Sequence, residues 1–119
     1  MTTAAFDLDR TLAALADPHR RRVVEMLHEE PMRAGRLAAE LGLAPPAMSR
    51  HLRVLRANGL VEESHPDEDA RVRIYRLQPV AFAPLTAWLE GMQAAWSEQL
   101  EAFRVHVEGT GSEEVRNER

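Results

Sequence analysis

A mainly α-helical fold carrying one small β-hairpin is what the sequence predicts: five helices and two strands. Three observations carry that expectation. Apolar residues recur at helical spacing in five segments. The stretch 60–77 changes to the short runs and turn residues of two strands. Pro or Gly stands at most boundaries between segments.

Leu8, Leu12 and Leu15 share a helical face, so a first short helix is expected over about 7–16. Asp17-Pro18 reads as an N-cap followed by proline at the first helical position, where its missing N–H costs nothing. The second helix buries Val23, Val24 and Leu27, runs to about Glu29 and stops at Pro31. A third is expected over about 34–41, with Leu37, Ala38 and Leu41 inward and Leu43 packing the turn behind it. Gly42 supplies the left-handed conformation that ends it. Pro45 opens a fourth helix, which runs to about Ala57 and ends at Asn58-Gly59. Segments 60–63 and 72–77 read as the strands, joined by the turn chemistry of His65-Pro66-Asp67-Glu68-Asp69. A long helix over about 80–107 follows Pro79. The polar GTGSEEVRNER after it has the composition of a disordered tail. One domain at 1–108 and a tail at 109–119 are therefore expected.

With 119 residues, 45% of them hydrophobic, the chain suits one globular domain. It can bury a core but not a deep closed pocket as well, so a partner subunit would help it. No apolar run approaches the roughly 18 residues that suggest a membrane span. MTTAAFDLDR lacks the basic flank and apolar stretch of a secretory signal, and no membrane partner is expected. Cysteine is absent, which excludes disulfides and thiolate metal sites and fits a cytoplasmic location.

The formal net charge of −4 argues against a nucleic-acid partner, but its distribution argues for one. Every one of the fifteen Lys and Arg positions is Arg. Nine lie between Arg10 and Ala57 against five acids, whereas from Gln78 onward three stand against seven Glu. A basic front and an acidic back are the footprint of a face that meets phosphate. Solvated surface charge is the plain alternative.

The segment 37–61, LAAELGLAPPAMSRHLRVLRANGLV, is the most informative. Gly42 permits a sharp corner between two short helices, and Ala38 and Ala39 let them approach closely. Such a corner presents its second helix as a protruding rod that fits the major groove. At about 100° per residue, Met48, Leu52 and Leu55 share one face, which must be core. Opposite lie Pro46, Arg50, Arg53 and Ala57, with Ala47 and Ser49 on the flanks. These are small residues for close approach, a hydroxyl, and guanidiniums suited to guanine or phosphate. An amphipathic helix with solvated Arg looks much the same in isolation. The preceding corner and the following hairpin separate the two readings.

From about Leu12 to Leu77 the chain resembles the ArsR/SmtB family of winged helix-turn-helix repressors. The matching residues are Ala14-Leu15-Ala16-Asp17-Pro18 with Arg20-Arg21-Arg22, Leu37-Ala38, Leu41-Gly42-Leu43, Met48-Ser49-Arg50-His51-Leu52, Val54-Leu55, Gly59-Leu60-Val61 and Arg73-Ile74-Tyr75-Arg76-Leu77. The resemblance implies a homodimer joined through the first and last helices, a recognition helix at about 45–57 and a hairpin wing. Double-stranded DNA bearing a palindromic operator is the partner expected. Ser49 and Arg50 become the foremost readers of base or phosphate. The chain departs from the family at Ala44 and Pro45, where a hydroxyl cap and Gln are common, so one polar reader is missing. Arg33 replaces a small polar residue at a helix start, a place suited either to phosphate contact or to solvent. The wing tip Asp67-Glu68-Asp69 would be repelled by phosphate. Wing contacts are therefore expected from Arg71 and Arg73, with the tip turned away; a spectator hairpin is the alternative.

Metal sensors of this family use paired Cys on the third helix, or Asp, His and Glu on the last. Here 36–41 holds no soft ligand, and the last helix offers only His106 near Glu108. His19, His28, His51 and His65 are well separated, none with i,i+4 spacing, and His51 is expected beside the core. His65 with Asp67 and Asp69 could hold a hard cation, but an exposed turn is the preferred reading. No metal, cofactor or catalytic residue is expected: there is no Cys, no Gly-x-Ser-x-Gly elbow and no phosphate-cradling Gly loop. Leu85, Trp88, Leu89, Met92, Trp96, Leu100 and Phe103 form a stripe on a helix longer than one small domain can cover. With Leu8 and Leu12 they are expected to meet a two-fold mate. Two alternatives stay open: a ligand- or metal-responsive sensor of the same family, and a protein-interaction module without DNA binding. The second explains the acidic last helix and its Trp residues, but not Arg50 and Arg53 opposite Met48 and Leu52.

Overall fold

The structure, a computed structural model, describes residues 2–65 and 71–117, with side chains over 7–65 and 71–109. In order these form α1 (Thr2–Ala14), α2 (Pro18–Glu29), β1 (Met32–Arg33), α3 (Ala34–Leu41), α4 (Pro45–Ala57), β2 (Val61–Ser64), β3 (Ile74–Leu77), a 3-10 turn (Pro79–Phe82) and α5 (Ala83–Asn117). Residues 1–85 and 86–119 are two separate compact units.

The five α-helices and the hairpin are those expected. β2 and β3 pair antiparallel, with Glu63 opposite Tyr75. The sheet has a third strand that sequence reasoning missed: β1 pairs with β3, giving the order β1-β3-β2. Two residues after a proline show no alternation, so only the pairing partner reveals them as a strand. α1 begins earlier than periodicity indicated, at Thr2. α5 keeps helical backbone to Asn117, past the boundary placed at 108.

Local chemistry explains the boundaries. The Asp17 carboxylate accepts the N–H of His19 at 2.8 Å and of Arg20 at 3.2 Å, capping α2 ahead of Pro18. Gly42 ends α3 at φ 64°, and the Leu43 N–H donates to Ala38 O at 2.9 Å. Gly59 repeats the device after α4 at φ 73°, with the Leu60 N–H on Leu55 O at 3.0 Å.

The core lies within the first unit. Val23, Leu37, Met48, Leu52, Leu55 and Leu60 are essentially sealed from solvent. Each such aliphatic side chain contributes about 1.5–3 kcal/mol through burial. Val24, Leu41 and Leu43, expected inward, are only partly buried, while Met26, Met32, Val61 and Tyr75 complete the core.

Candidate nucleic-acid interface

α4 is set by the corner that Gly42 turns. Its N-cap, Ala44, has an extended backbone and no side-chain cap. None is needed. The first helical positions are Pro45 and Pro46, which carry no N–H, and Ala44 O accepts the next two, from Ala47 at 3.0 Å and Met48 at 3.1 Å. The two prolines thus remove the first two donors, and the Ala44 carbonyl takes the third, from Ala47, which a hydroxyl cap would otherwise satisfy.

The two faces of α4 separate as its periodicity requires. Met48, Leu52 and Leu55 are buried, whereas Pro46, Ser49, Arg50, Arg53 and Ala57 are exposed and Ala47 is half-buried. The nine Arg between Arg10 and Ala57 divide into three kinds. Arg10 donates to Ala57 O, and Arg20 and Arg21 donate to Ala14 O at 2.6 Å and Leu15 O at 2.7 Å. Arg22 pairs with Glu25 at 3.2 Å, Arg56 with Glu63 at 2.6 Å, and Arg36 with Glu30. Arg33, Arg50 and Arg53 are exposed and make no hydrogen bond or ion pair with the described residues. Much of the basic front is therefore structural, and the uncommitted charge concentrates on α4 and at the start of α3. Arg76 on β3, which sequence reasoning did not single out, is also exposed and uncommitted among the described residues. Strand alternation, with Tyr75 buried beside it, was the signal that placed it outward.

Of the hairpin residues, Arg71 and Arg73 are exposed. Arg73 is committed, its Nε 3.4 Å from Glu63 Oε1. The tip Asp67-Glu68-Asp69, and the expectation that it turns away from DNA, lie outside the described residues. Glu63 is nearly buried and accepts from the Tyr75 hydroxyl at 3.2 Å. Burial first, and then the Glu63 charge and this hydrogen bond, push the Tyr75 phenol above its ordinary value.

A second cluster joins residues far apart in sequence. Donor atoms of Asp17, His19 and His51 all lie within 4.8 Å of one another. Asp17 Oδ1 is 3.8 Å from His19 Nδ1 and 4.0 Å from His51 Nδ1. The donor set suits a cation, but its surroundings oppose one. Arg20 Nη1 stands 3.4 Å from His51 Nδ1, with the same guanidinium anchored on Ala13 O and Ala14 O. The positive N-terminal end of α2 adds to that charge. The cluster braces the α1–α2 corner against α4, and His51 is half-buried at that junction.

On α5, Trp88, Leu89, Trp96, Leu100 and Phe103 are exposed, the last two at 65% each, and Met92 is half-buried. Val107 extends the stripe. In the first unit Leu12 is exposed, and Leu8 and Leu85 are half-buried. None of the described helices is long and apolar enough to cross a membrane.

Residues 15–64 match the helix-turn-helix domain family. The HTH-type transcriptional regulator Rv2034 of Mycobacterium tuberculosis is 35% identical over 106 residues, spanning 88% of this chain and 92% of that protein. Among solved structures, an ArsR family transcriptional regulator is similar with a TM-score of 0.68 and 29% identity, over 78% of this chain and 93% of that one. An ArsR-like transcriptional regulator from Rhodococcus sp. RHA1 has a TM-score of 0.66 and 30% identity, over 87% and 93%.

Proposed function

Because this chain belongs to the ArsR/SmtB-type winged helix-turn-helix transcriptional regulators, which bind DNA, we propose that it is a homodimeric repressor reading a palindromic operator through α4. The observation that carries this reading is the state of Arg50 and Arg53: exposed, without a partner among the described residues, beside Ser49 and opposite the buried Met48, Leu52 and Leu55. Pro46 and Ala47 allow close approach to the groove, Arg33 serves a phosphate, and Arg71 and Arg73 serve the wing. Residues 1–108 act as the DNA-binding and dimerisation domain, working in the cytoplasm and without catalysis. Dimer contacts come from the apolar stripe of α5 and, separately, from Leu8 and Leu12; two-fold symmetry calls for half-sites about one helical turn, roughly 34 Å, apart.

The test is operator selection from a random duplex pool, followed by anisotropy titration of parent and Arg50→Ala across a salt series. Arg50→Ala should cost about 1–3 kcal/mol on the selected sequence and relax preference at one position of each half-site. Equal binding of selected and random duplexes by the parent would remove the reading.

A further inference from the structure

Glu63 takes no direct part in the interface just described, yet four side chains from three places in the fold meet on it. Arg56, in the last turn of α4, lies 2.6 Å from Oε2, and the Tyr75 hydroxyl 3.2 Å from the same oxygen. Arg73 Nε and His65 Nε2 each lie 3.4 Å from Oε1. The carboxylate is at the back of this group: the Glu63 side chain is 9% exposed, against 51% for Arg56 and 61% for Arg73. Strand alternation explains the placement, since Glu63 shares the inward side of β2 with Val61.

We propose that Glu63 is a positioning residue for DNA recognition, joining Arg56 of the recognition helix to Arg73 of the wing and withholding both guanidiniums from indiscriminate phosphate contact. The proposal rests on reading α4 and the hairpin as the DNA-facing surface. A carboxylate this buried is costly unless opposite charge and hydrogen bonds compensate it; Arg56 and Tyr75 donate to it and Arg73 adds an ion pair. The bond to α4 and the bond to the strand side of the hairpin share one anchor, so helix and wing keep a common geometry. Each guanidinium also faces a carboxylate before DNA arrives, which weakens its sequence-independent pull on phosphate, the term that dominates binding to random duplex.

Removing this acid should therefore tighten the wrong kind of binding. With Glu63→Gln, a near-isosteric loss of charge, the dependence of log affinity on log salt for random duplex should steepen by about one to two units, roughly one for each guanidinium released. Random-duplex affinity at low salt should rise, and the operator-to-random ratio should fall by about three- to tenfold. Glu63→Asp keeps the charge and shortens the reach, and should keep the parental salt slope. Adding Arg73→Gln to Glu63→Gln should remove about one unit of that steepening and leave the share of Arg56. Thermal unfolding of each variant runs alongside. A lowered Tm with equal weakening on both duplexes and a parental slope marks a merely structural Glu63 and overturns the proposal. An unchanged slope with an unchanged ratio overturns it equally. Arg50→Ala in the same titration separates the two levels. If it loses operator affinity while Glu63→Gln behaves like the parent, only the assignment of Glu63 fails. If it loses nothing, the reading of α4 fails and takes this proposal with it.

Discussion

One carboxylate at the α1–α2 corner has two tasks. Asp17 caps α2 through the N–H groups of His19 and Arg20, and it meets His51 of α4. Desolvation pushes its carboxyl upward, but the two backbone hydrogen bonds and the nearby His51 and Arg20 outweigh that and hold it below the usual Asp value. Its folded pKa is thus depressed. The stabilisation is complete above the unfolded value of about 3.9 and is lost as pH falls through the lower folded value. Asp17→Ala should therefore lower stability by about 1 kcal/mol at neutral pH. Denaturant titrations down to pH 2 should show the gap between parent and variant narrowing below about pH 4. A gap that stays constant or widens on acidification would contradict the assignment. The cap was legible in Asp-Pro, two adjacent letters. The contact with His51 was not, because its partner lies on a helix brought near only by packing.

At the scale of elements, the corner between α3 and α4 turns on Gly42. Its φ is 64°, and a Cβ added there meets nothing within 4 Å. The cost of Gly42→Ala is consequently backbone strain alone, about 1–2 kcal/mol, with no clash to relieve. Thermal unfolding should show a Tm lower by several degrees and an otherwise cooperative transition. A loss beyond about 4 kcal/mol would mean that the corner carries more than its dihedral angle. The C-terminal boundary gives a second prediction. α5 continues to Asn117, yet 109–117 includes Gly109 and Gly111, which each cost a helix about 1 kcal/mol relative to Ala. A chain ending at Glu108 should match the full chain in Tm and in operator affinity. A clear fall in either would extend the domain to the end of the helix. The ends of α2, α3 and α4 were readable because caps and breakers act within a turn or two, whereas β1 escaped because its identity depends on β3, far along the chain.

For the whole molecule, the proposed dimer turns on the exposed stripe of α5. Trp88, Leu89, Trp96, Leu100 and Phe103 present more contiguous apolar side chain than a lone chain normally leaves in water. The parent should sediment as a dimer at micromolar concentration. Trp96→Glu should weaken dimerisation at least about tenfold, by placing an unpaired charge in the seam. Operator binding should fall with it, since two half-sites then require two independent events, while affinity per recognition helix for random duplex should change little. A parent that remains monomeric, or a Trp96→Glu variant that dimerises like it, would assign the stripe another role.

The helices, the caps of α2 to α4, the Gly-turned corner and the two faces of α4 were all legible in the order of residues. Each depends on residues within a few positions of one another, where covalent geometry already sets the distances. The sequence also indicated an excess of Arg in the front half, but not which Arg were uncommitted. Packing sorts them: Arg10, Arg20 and Arg21 serve backbone carbonyls, Arg22, Arg36 and Arg56 are paired, and Arg33, Arg50 and Arg53 have no partner among the described residues. The same holds for Asp17 beside His51 and for the four side chains on Glu63. A side chain's partner is set by distances across the fold, and those exist only after the core of Val23, Leu37, Met48, Leu52, Leu55 and Leu60 has closed.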